Sequence, residues 1–204
     1  LGRARLQARP RPSRGPRLRQ AACAPQLSPP SRVMTCIWAG APTRTGNKLL
    51  PETVAKLAKD VDVIMGAKDS SGDWDNLQAY IRLTQDLDKG FKVLSGNDSL
   101  ILKSLQAGGA GGIAGCSNVY PHVLSSIYNL FVEGKIEEAQ AAQDSIASFR
   151  AVFKYGNPNT VVKKAAALLG NPVGECRRPF SYLSEEGTEA LRKVLEENKA
   201  KGMA

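Results

Sequence analysis

The stretch VDVIMGAKDSSGDWDNLQAYIRLTQDL, residues 61–87, decides the fold. Its first seven residues are apolar and rich in β-branched side chains, which predicts a buried parallel strand over 61–67. Residues 73–87 repeat apolar side chains at helical spacing, and Asp73 is placed to cap that helix. Four apolar positions share one side of this helix: Leu77, Tyr80, Ile81 and Thr84. A buried strand followed closely by an amphipathic helix is the unit of parallel α/β folds.

The same alternation continues on both sides of this stretch. Residues 51–60 predict a helix with Pro51 in its first turn, where proline is tolerated. Further strands are predicted at 91–96 and 110–115, each followed by a helix; Asp98 is expected to cap one helix and Asn118, with Pro121, to open the next. After about residue 134 only helices follow, with predicted bounds of 135–154, 158–170 and from Ser184 onward.

Basic charge is concentrated at one end of the sequence. Residues 1–45 hold nine of the 28 Lys and Arg and no acidic residue, which leaves 19 basic and 19 acidic residues from position 46 onward. A basic surface for nucleic acid is therefore not predicted for the body, and no nucleic-acid partner is expected.

Residues 1–45 are rich in Arg and Pro and lack an apolar period, which is typical of segments that do not fold. Three interpretations stay open: a transit peptide, a basic tail, or a shifted reading frame or partial gene. We favour the last. No apolar stretch is long enough to cross a membrane, so no membrane partner is expected.

Cysteine and histidine usage excludes common metal and disulfide patterns. The four cysteines (Cys23, Cys36, Cys116 and Cys176) are widely spaced, and His122 is the only histidine. We therefore expect reduced thiols in a cytoplasmic protein, no metal site and no cofactor.

Three blocks resemble the dihydrodipicolinate synthase / N-acetylneuraminate lyase family. RTGNKLLPETVAKLAKDVDVIMGAKDSSGD (44–73) resembles the family's R-T-G turn, L-x-P-E helix start and G-[IA]-K-[DE] strand end. VLSGND (93–98) resembles its S-G-x-D block, and QAGGAGGIAGCSNVYP (106–121) resembles its glycine-rich block. The resemblance covers about residues 42–204.

The resemblance implies a partial (β/α)8 TIM barrel followed by a C-terminal helical subdomain. A complete barrel takes about 250 residues, so we expect residues 46–134 to supply strands six to eight. The fifth strand is expected near 33–42, and strands one to four before residue 1. Residues 135–204 would form the helical subdomain, and 1–45 an Arg/Pro-rich segment outside the family pattern.

The resemblance also assigns site residues. Lys68 matches the lysine that forms a Schiff base with pyruvate, which requires a neutral amine at the mouth of the barrel. With strand alternation, Ile64, Gly66 and Lys68 would share the face that points into the barrel. Ile113 matches the position whose carbonyl contacts pyruvate, Gly96 is expected to bind substrate, and Arg44 matches the arginine that holds the aldehyde's carboxylate.

Two departures from the family pattern affect the expected activity. Ala39 stands where the family motif Y-N-x-P-x-R-T-G has its proton-shuttling tyrosine, and the G-x-T-G-E block that holds the pyruvate carboxylate is missing. Tyr80, Tyr120 and Tyr128 fall elsewhere in the pattern.

The predicted function is that of a lyase, a 4-hydroxy-tetrahydrodipicolinate synthase that joins pyruvate to aspartate semialdehyde in lysine biosynthesis. Alternatives are an N-acetylneuraminate lyase or 2-keto-3-deoxy sugar acid aldolase, and a truncated inactive homologue. The resemblance implies a homo-oligomer for the complete family member.

Overall fold

The computed structural model describes the backbone of residues 35–38 and residues 48–203 in full. Arg44 and Ala39 lie outside the described residues, as do all but four residues of the predicted segment 1–45. The chain divides into two units, 1–32 and 33–204, and the described residues all belong to the second.

Four parallel strands form one sheet in the order of the sequence. They are β1 (Thr35–Trp38), β2 (Ile64–Asp69), β3 (Lys92–Ser95) and β4 (Gly111–Gly112). Each pairs in parallel with the next, so β1 confirms the strand that was expected near 33–42. Connections between them pass through helices, as parallel pairing requires.

Eight helices accompany this sheet in the described part of the chain. Helix α1 (Pro51–Asp60) precedes β2, α2 (Trp74–Thr84) precedes β3, and α3 (Ile101–Gln106) precedes β4. The five that follow β4 are α4 (Pro121–Val132), α5 (Ile136–Ser145), α6 (Ala147–Ala151), α7 (Pro158–Leu168) and α8 (Glu185–Ala200). The α/β class and the C-terminal helices are thereby confirmed, while the (β/α)8 barrel and the division at 134/135 stay predictions. None of these helices is both long and apolar enough to cross a membrane.

Four helix starts follow local chemistry as predicted. Helix α1 begins at Pro51 as expected, and Asp73 caps α2 by accepting from the N–H groups of Asp75 and Asn76. Asn157 and Ser184 cap α7 and α8 in the same way. These ends are readable because a side-chain oxygen satisfies amides that lie two or three residues away.

Strand bounds were predicted less well. Residues 61–63 form the turn that leaves α1, and β2 begins only at Ile64 and continues through Lys68 to Asp69. In the pairing with β1, Thr35 lies opposite Ile64 and the next residue, Cys36, lies opposite Gly66. Strand β2 therefore has one more residue than β1 at this point. This irregularity breaks the alternation, and the predicted inward position of Ile64 is wrong: it packs with Ala67 against the helices.

Two hydrophobic clusters stabilise the described residues. One lies between the sheet and the first two helices and contains Val54, Leu77, Tyr80 and Val93. The other extends from α3 to α8 and includes Tyr120 and Phe149, whose rings pack edge to face with their centroids 5.4 Å apart.

The predicted helix 135–154 is interrupted at Ile146, which lies between α5 and α6.

Asp98 connects the end of β3 to the C-terminal helices. Its carboxylate accepts from Arg150 Nη1 of α6 at 2.8 Å and from the backbone N–H of Cys116 at 3.2 Å. Gln143 of α5 donates to the Asp98 carbonyl at 2.9 Å and accepts from the N–H of Leu102. The prediction that Asp98 is a helix cap is therefore wrong. The cap is Asn97, whose side chain accepts from the Ser99 N–H at the start of the short 3-10 turn Asp98–Leu100.

Asp98→Asn is expected to lower the free energy of unfolding by roughly 1.5–3 kcal/mol, because a buried, charged hydrogen-bond acceptor is lost beside a partly buried arginine. Asp60→Asn is the matched control, since Asp60 pairs with Lys56 on the exposed face of α1 and should change stability little. Urea denaturation followed by circular dichroism measures both. Equal effects of the two substitutions would contradict the role given to Asp98.

Candidate functional site

The carboxyl ends of β2 and β3 meet in a crowded junction around Gly96. A Cβ atom placed on Gly96 would lie 2.1 Å from Ser70 Oγ, 2.8 Å from the Asp69 carbonyl oxygen and 2.9 Å from Lys68 Cε. The Gly96 N–H donates to that same carbonyl at 2.6 Å. Only glycine leaves room here for the loop after β2 and for the lysine side chain.

Lys68 lies in β2, opposite Leu94 of β3 and Trp38 of β1, and is partly buried. Because its Cε reaches the Gly96 backbone, the side chain extends along the carboxyl ends of the strands. Catalytic groups of parallel barrels stand at this edge. Two predicted site residues, Lys68 and Gly96, are thus brought together.

Ile113 lies just beyond β4 at the same edge. Gly111 is opposite Leu94, and the Ile113 N–H donates to the Ser95 carbonyl at 2.8 Å, which places Ile113 beside the strand end that precedes Gly96. Its side chain is 48% exposed. Three of the four predicted site residues therefore lie at the carboxyl ends of three consecutive strands, at one edge of the sheet, whereas Arg44 lies outside the described residues.

Asp69 organises the loop after β2, a role that the sequence did not predict. Its side chain is 2% exposed. The carboxylate accepts from the Ser71 N–H at 2.8 Å, from Ser71 Oγ at 3.0 Å and from Asn76 Nδ2 at 3.0 Å. The D-x-S order was a usable signal, because an aspartate commonly accepts from the amide two residues ahead.

Asn118 does not cap α4, contrary to the prediction. Helix α4 starts at Pro121 without a side-chain cap, and Asn118 Nδ2 instead donates to the Gly115 carbonyl at 3.0 Å. Pro121 at the first helical position lacks an N–H group, so the first turn of α4 has one fewer amide without a partner.

The tyrosines away from the family motif have structural partners. Tyr80 donates to the Leu49 carbonyl at 2.6 Å, and Tyr120 accepts from Asn198 Nδ2 at 2.9 Å. Burial raises the pKa of both phenols, which keeps them protonated. Tyr128 is 38% exposed on α4.

The two described cysteines, Cys116 and Cys176, are both free thiols but differ in burial. Burial, followed by the Asp98 carboxylate, raises the pKa of the Cys116 thiol well above its usual range. Such a thiol is inert because the reactive form is the thiolate. Cys176 is partly exposed. The other two cysteine side chains lie outside the described residues.

Gly96→Ala is expected to cost about 1–3 kcal/mol of stability, because the new methyl group meets backbone as well as side-chain atoms. Gly115→Ala is the control, since a Cβ at Gly115 has no neighbour within 4 Å. Urea midpoints of both variants measure the difference, and a Gly96→Ala protein as stable as Gly115→Ala would refute the crowding.

Comparison with known proteins places this geometry in one family. The model of the dihydrodipicolinate synthetase family matches residues 35–198. The 4-hydroxy-tetrahydrodipicolinate synthases of Methanospirillum hungatei and Archaeoglobus fulgidus are 40% and 41% identical to the chain over 155 residues, each covering 76% of this chain. The chain spans 52% of each of these curated relatives, about half their length.

Solved structures agree with this placement. The dihydrodipicolinate synthase of Thermotoga maritima superposes with a TM-score of 0.75 at 30% identity, covering 80% of this chain and 55% of that one. A monomeric dihydrodipicolinate synthase variant gives a TM-score of 0.74 at 30% identity and covers 83% of this chain and 54% of that one. With the family model matching most of its length, the chain belongs to the dihydrodipicolinate synthetase family.

Proposed function

We propose that this chain is the C-terminal portion of a pyruvate-dependent Schiff-base enzyme, a 4-hydroxy-tetrahydrodipicolinate synthase that condenses pyruvate with aspartate semialdehyde. The names of its relatives support this reaction. The observation that carries the proposal is the position of Lys68, whose Cε lies against Gly96 at the carboxyl edge of the sheet.

In this proposal the Lys68 amine attacks the ketone carbon of pyruvate, and loss of water leaves a protonated imine. The imine withdraws electrons, so the methyl group of pyruvate can release a proton and become an enamine nucleophile. The carbon–carbon bond then forms when the enamine attacks the aldehyde. No metal or cofactor is needed for these steps.

The neighbours of Lys68 have assigned roles in the proposal. The Ile113 carbonyl would contact bound pyruvate, and Gly96, which leaves room for the Lys68 side chain, would border the substrate. Arg44 would hold the carboxylate of the aldehyde, a task that suits the planar guanidinium.

The proposal extends to the architecture. Strands β1 to β4 would be the fifth to eighth strands of a (β/α)8 barrel, with residues 46–134 completing the barrel and 135–204 forming the helical subdomain. The TM-scores against complete synthases support this assignment. A cytoplasmic location and a homo-oligomer of the complete protein are part of the same proposal.

Two alternative functions concern the same lysine. Pyruvate is also the product of N-acetylneuraminate lyases and of 2-keto-3-deoxy sugar acid aldolases, which would use the same lysine. An inactive homologue is favoured by Ala39 at the position of the family tyrosine, because loss of a general acid–base group lowers the rate by about 10²–10⁴-fold.

Borohydride reduction in the presence of pyruvate tests the proposal on the full 204-residue chain. We expect the reduced pyruvate adduct on Lys68, located by peptide mass spectrometry, and no adduct in Lys68→Ala. Lys92→Ala is the control, since Lys92 is an exposed lysine on the neighbouring strand, and it should keep the adduct.

An adduct on another lysine would overturn the assignment of Lys68. The absence of any adduct from a chain that melts cooperatively would favour the inactive homologue. Competition then identifies the substrate: aspartate semialdehyde should deplete the trapped adduct, whereas depletion by N-acetylmannosamine instead would favour the lyase.

A further inference from the structure

A cleft between α7 and the segment 171–180 is separate from the residues assigned to Schiff-base chemistry. Its volume is about 570 Å³. Helix α7 contributes one wall, the segment before α8 contributes the opposite one, and Asn118 borders it from the segment after β4. A space of this size suits a small organic molecule.

Three positive side chains line the cleft: Lys163, Arg177 and Arg178. None of the described residues that line it is Asp or Glu. Within residues 48–203 the ion pairs are Lys48–Asp73, Lys56–Asp60, Lys135–Glu133 and Arg150–Asp98, so none of the three cleft cations takes part in one. None of the three is therefore directly paired with a carboxylate within residues 48–203.

Lys163 is held in place by a neutral group. Its Nζ donates to the Glu175 carbonyl at 3.3 Å, which connects α7 to the opposite wall of the cleft. A carbonyl oxygen orients the ammonium group without cancelling its charge. Lys163 is partly buried along its length, and its hydrogen bond to Glu175 lies at the exposed surface, so the ammonium group is accessible to an anion.

The remaining lining combines amide donors with apolar side chains. Asn118 and Asn159 border the cleft, and Asn118 uses one amide N–H to contact Gly115, which leaves its oxygen and a second N–H. Val162, Val173 and Phe180 supply apolar surface. Apolar walls with a few converging polar groups are typical of sites for small organic ligands.

We propose that this cleft binds a small organic anion whose carboxylate or phosphate group pairs with Lys163, Arg177 and Arg178, and whose apolar portion lies against Val162, Val173 and Phe180. Guanidinium groups pair with either oxyanion in bidentate fashion. The site is distinct from Lys68, and it does not depend on the proposed synthase reaction.

Calorimetric titration of the full chain with glutarate, and separately with inorganic phosphate, tests the site. We expect binding of at least one of them, weakened about tenfold or more by Lys163→Met, since a hydrogen bond to a charged group is lost. Lys164→Met is the matched control, because Lys164 is the next residue on α7 and is absent from the lining, and it should bind as the unaltered chain does.

The two probes separate the ligand classes. Tighter glutarate binding would identify a carboxylate site with an apolar contact, whereas phosphate alone would identify a phosphate site. Binding of neither anion, or equal loss in the Lys163→Met and Lys164→Met variants, would overturn the proposal. Borohydride trapping at Lys68 is unaffected by either outcome, so the two proposals fail independently.

Cys176 provides a second measurement, because its side chain lines the same cleft. Neutral iodoacetamide should alkylate Cys176 more slowly when a saturating anion is present, as followed by peptide mass spectrometry. Cys116 is buried and should stay unmodified throughout, which reports that the fold is intact. Unchanged Cys176 labelling at saturating anion would place the anion elsewhere and contradict the site.

Discussion

The carboxylate of Asp98 joins three parts of the molecule that are distant in the sequence. It accepts from Arg150 in the C-terminal helices and from the Cys116 amide after β4, while Asp98 itself follows β3. A buried carboxylate needs such partners, since an unpaired charge would be expensive to desolvate. The position of the C-terminal helices is therefore coupled to the ends of β3 and β4, which Gly96 and Ile113 follow directly.

Close packing at Gly96 joins the ends of β2 and β3. The Gly96 N–H and the Asp69 carbonyl connect the ends of β2 and β3, and the missing side chain leaves the space that Lys68 Cε and Ser70 Oγ occupy. Asp69 in turn holds the next loop through Ser71 and Asn76. Hydrogen bonds thus fix the backbone and the loop that follow Lys68 directly, which is the kind of support that the proposed nucleophile would require.

Features encoded by neighbouring residues were predictable, and features encoded by distant residues were not. Pro51 and Asp73 indicate helix starts in the sequence because each affects only backbone groups within one turn of its own position. Asp98 resembled a cap by the same local rule, yet its partner Arg150 lies 52 residues away. The extra residue in β2 depends on pairing with β1, so no pattern inside 61–67 could reveal it.

Sequence motifs pointed to the residues around Lys68, whereas overall composition did not point to the cationic cleft. Lys68, Gly96 and Ile113 were singled out because each belongs to a contiguous block that resembles the family, and the parallel sheet brings the ends of these blocks to one edge. From residue 46 onward the formal charges balance, and that balance hid the cationic cleft. Its cations come from α7 and from residues 177 and 178, and only folding places them together. A net charge of zero therefore describes the surface as a whole. It does not show where positive side chains lie together away from acidic ones.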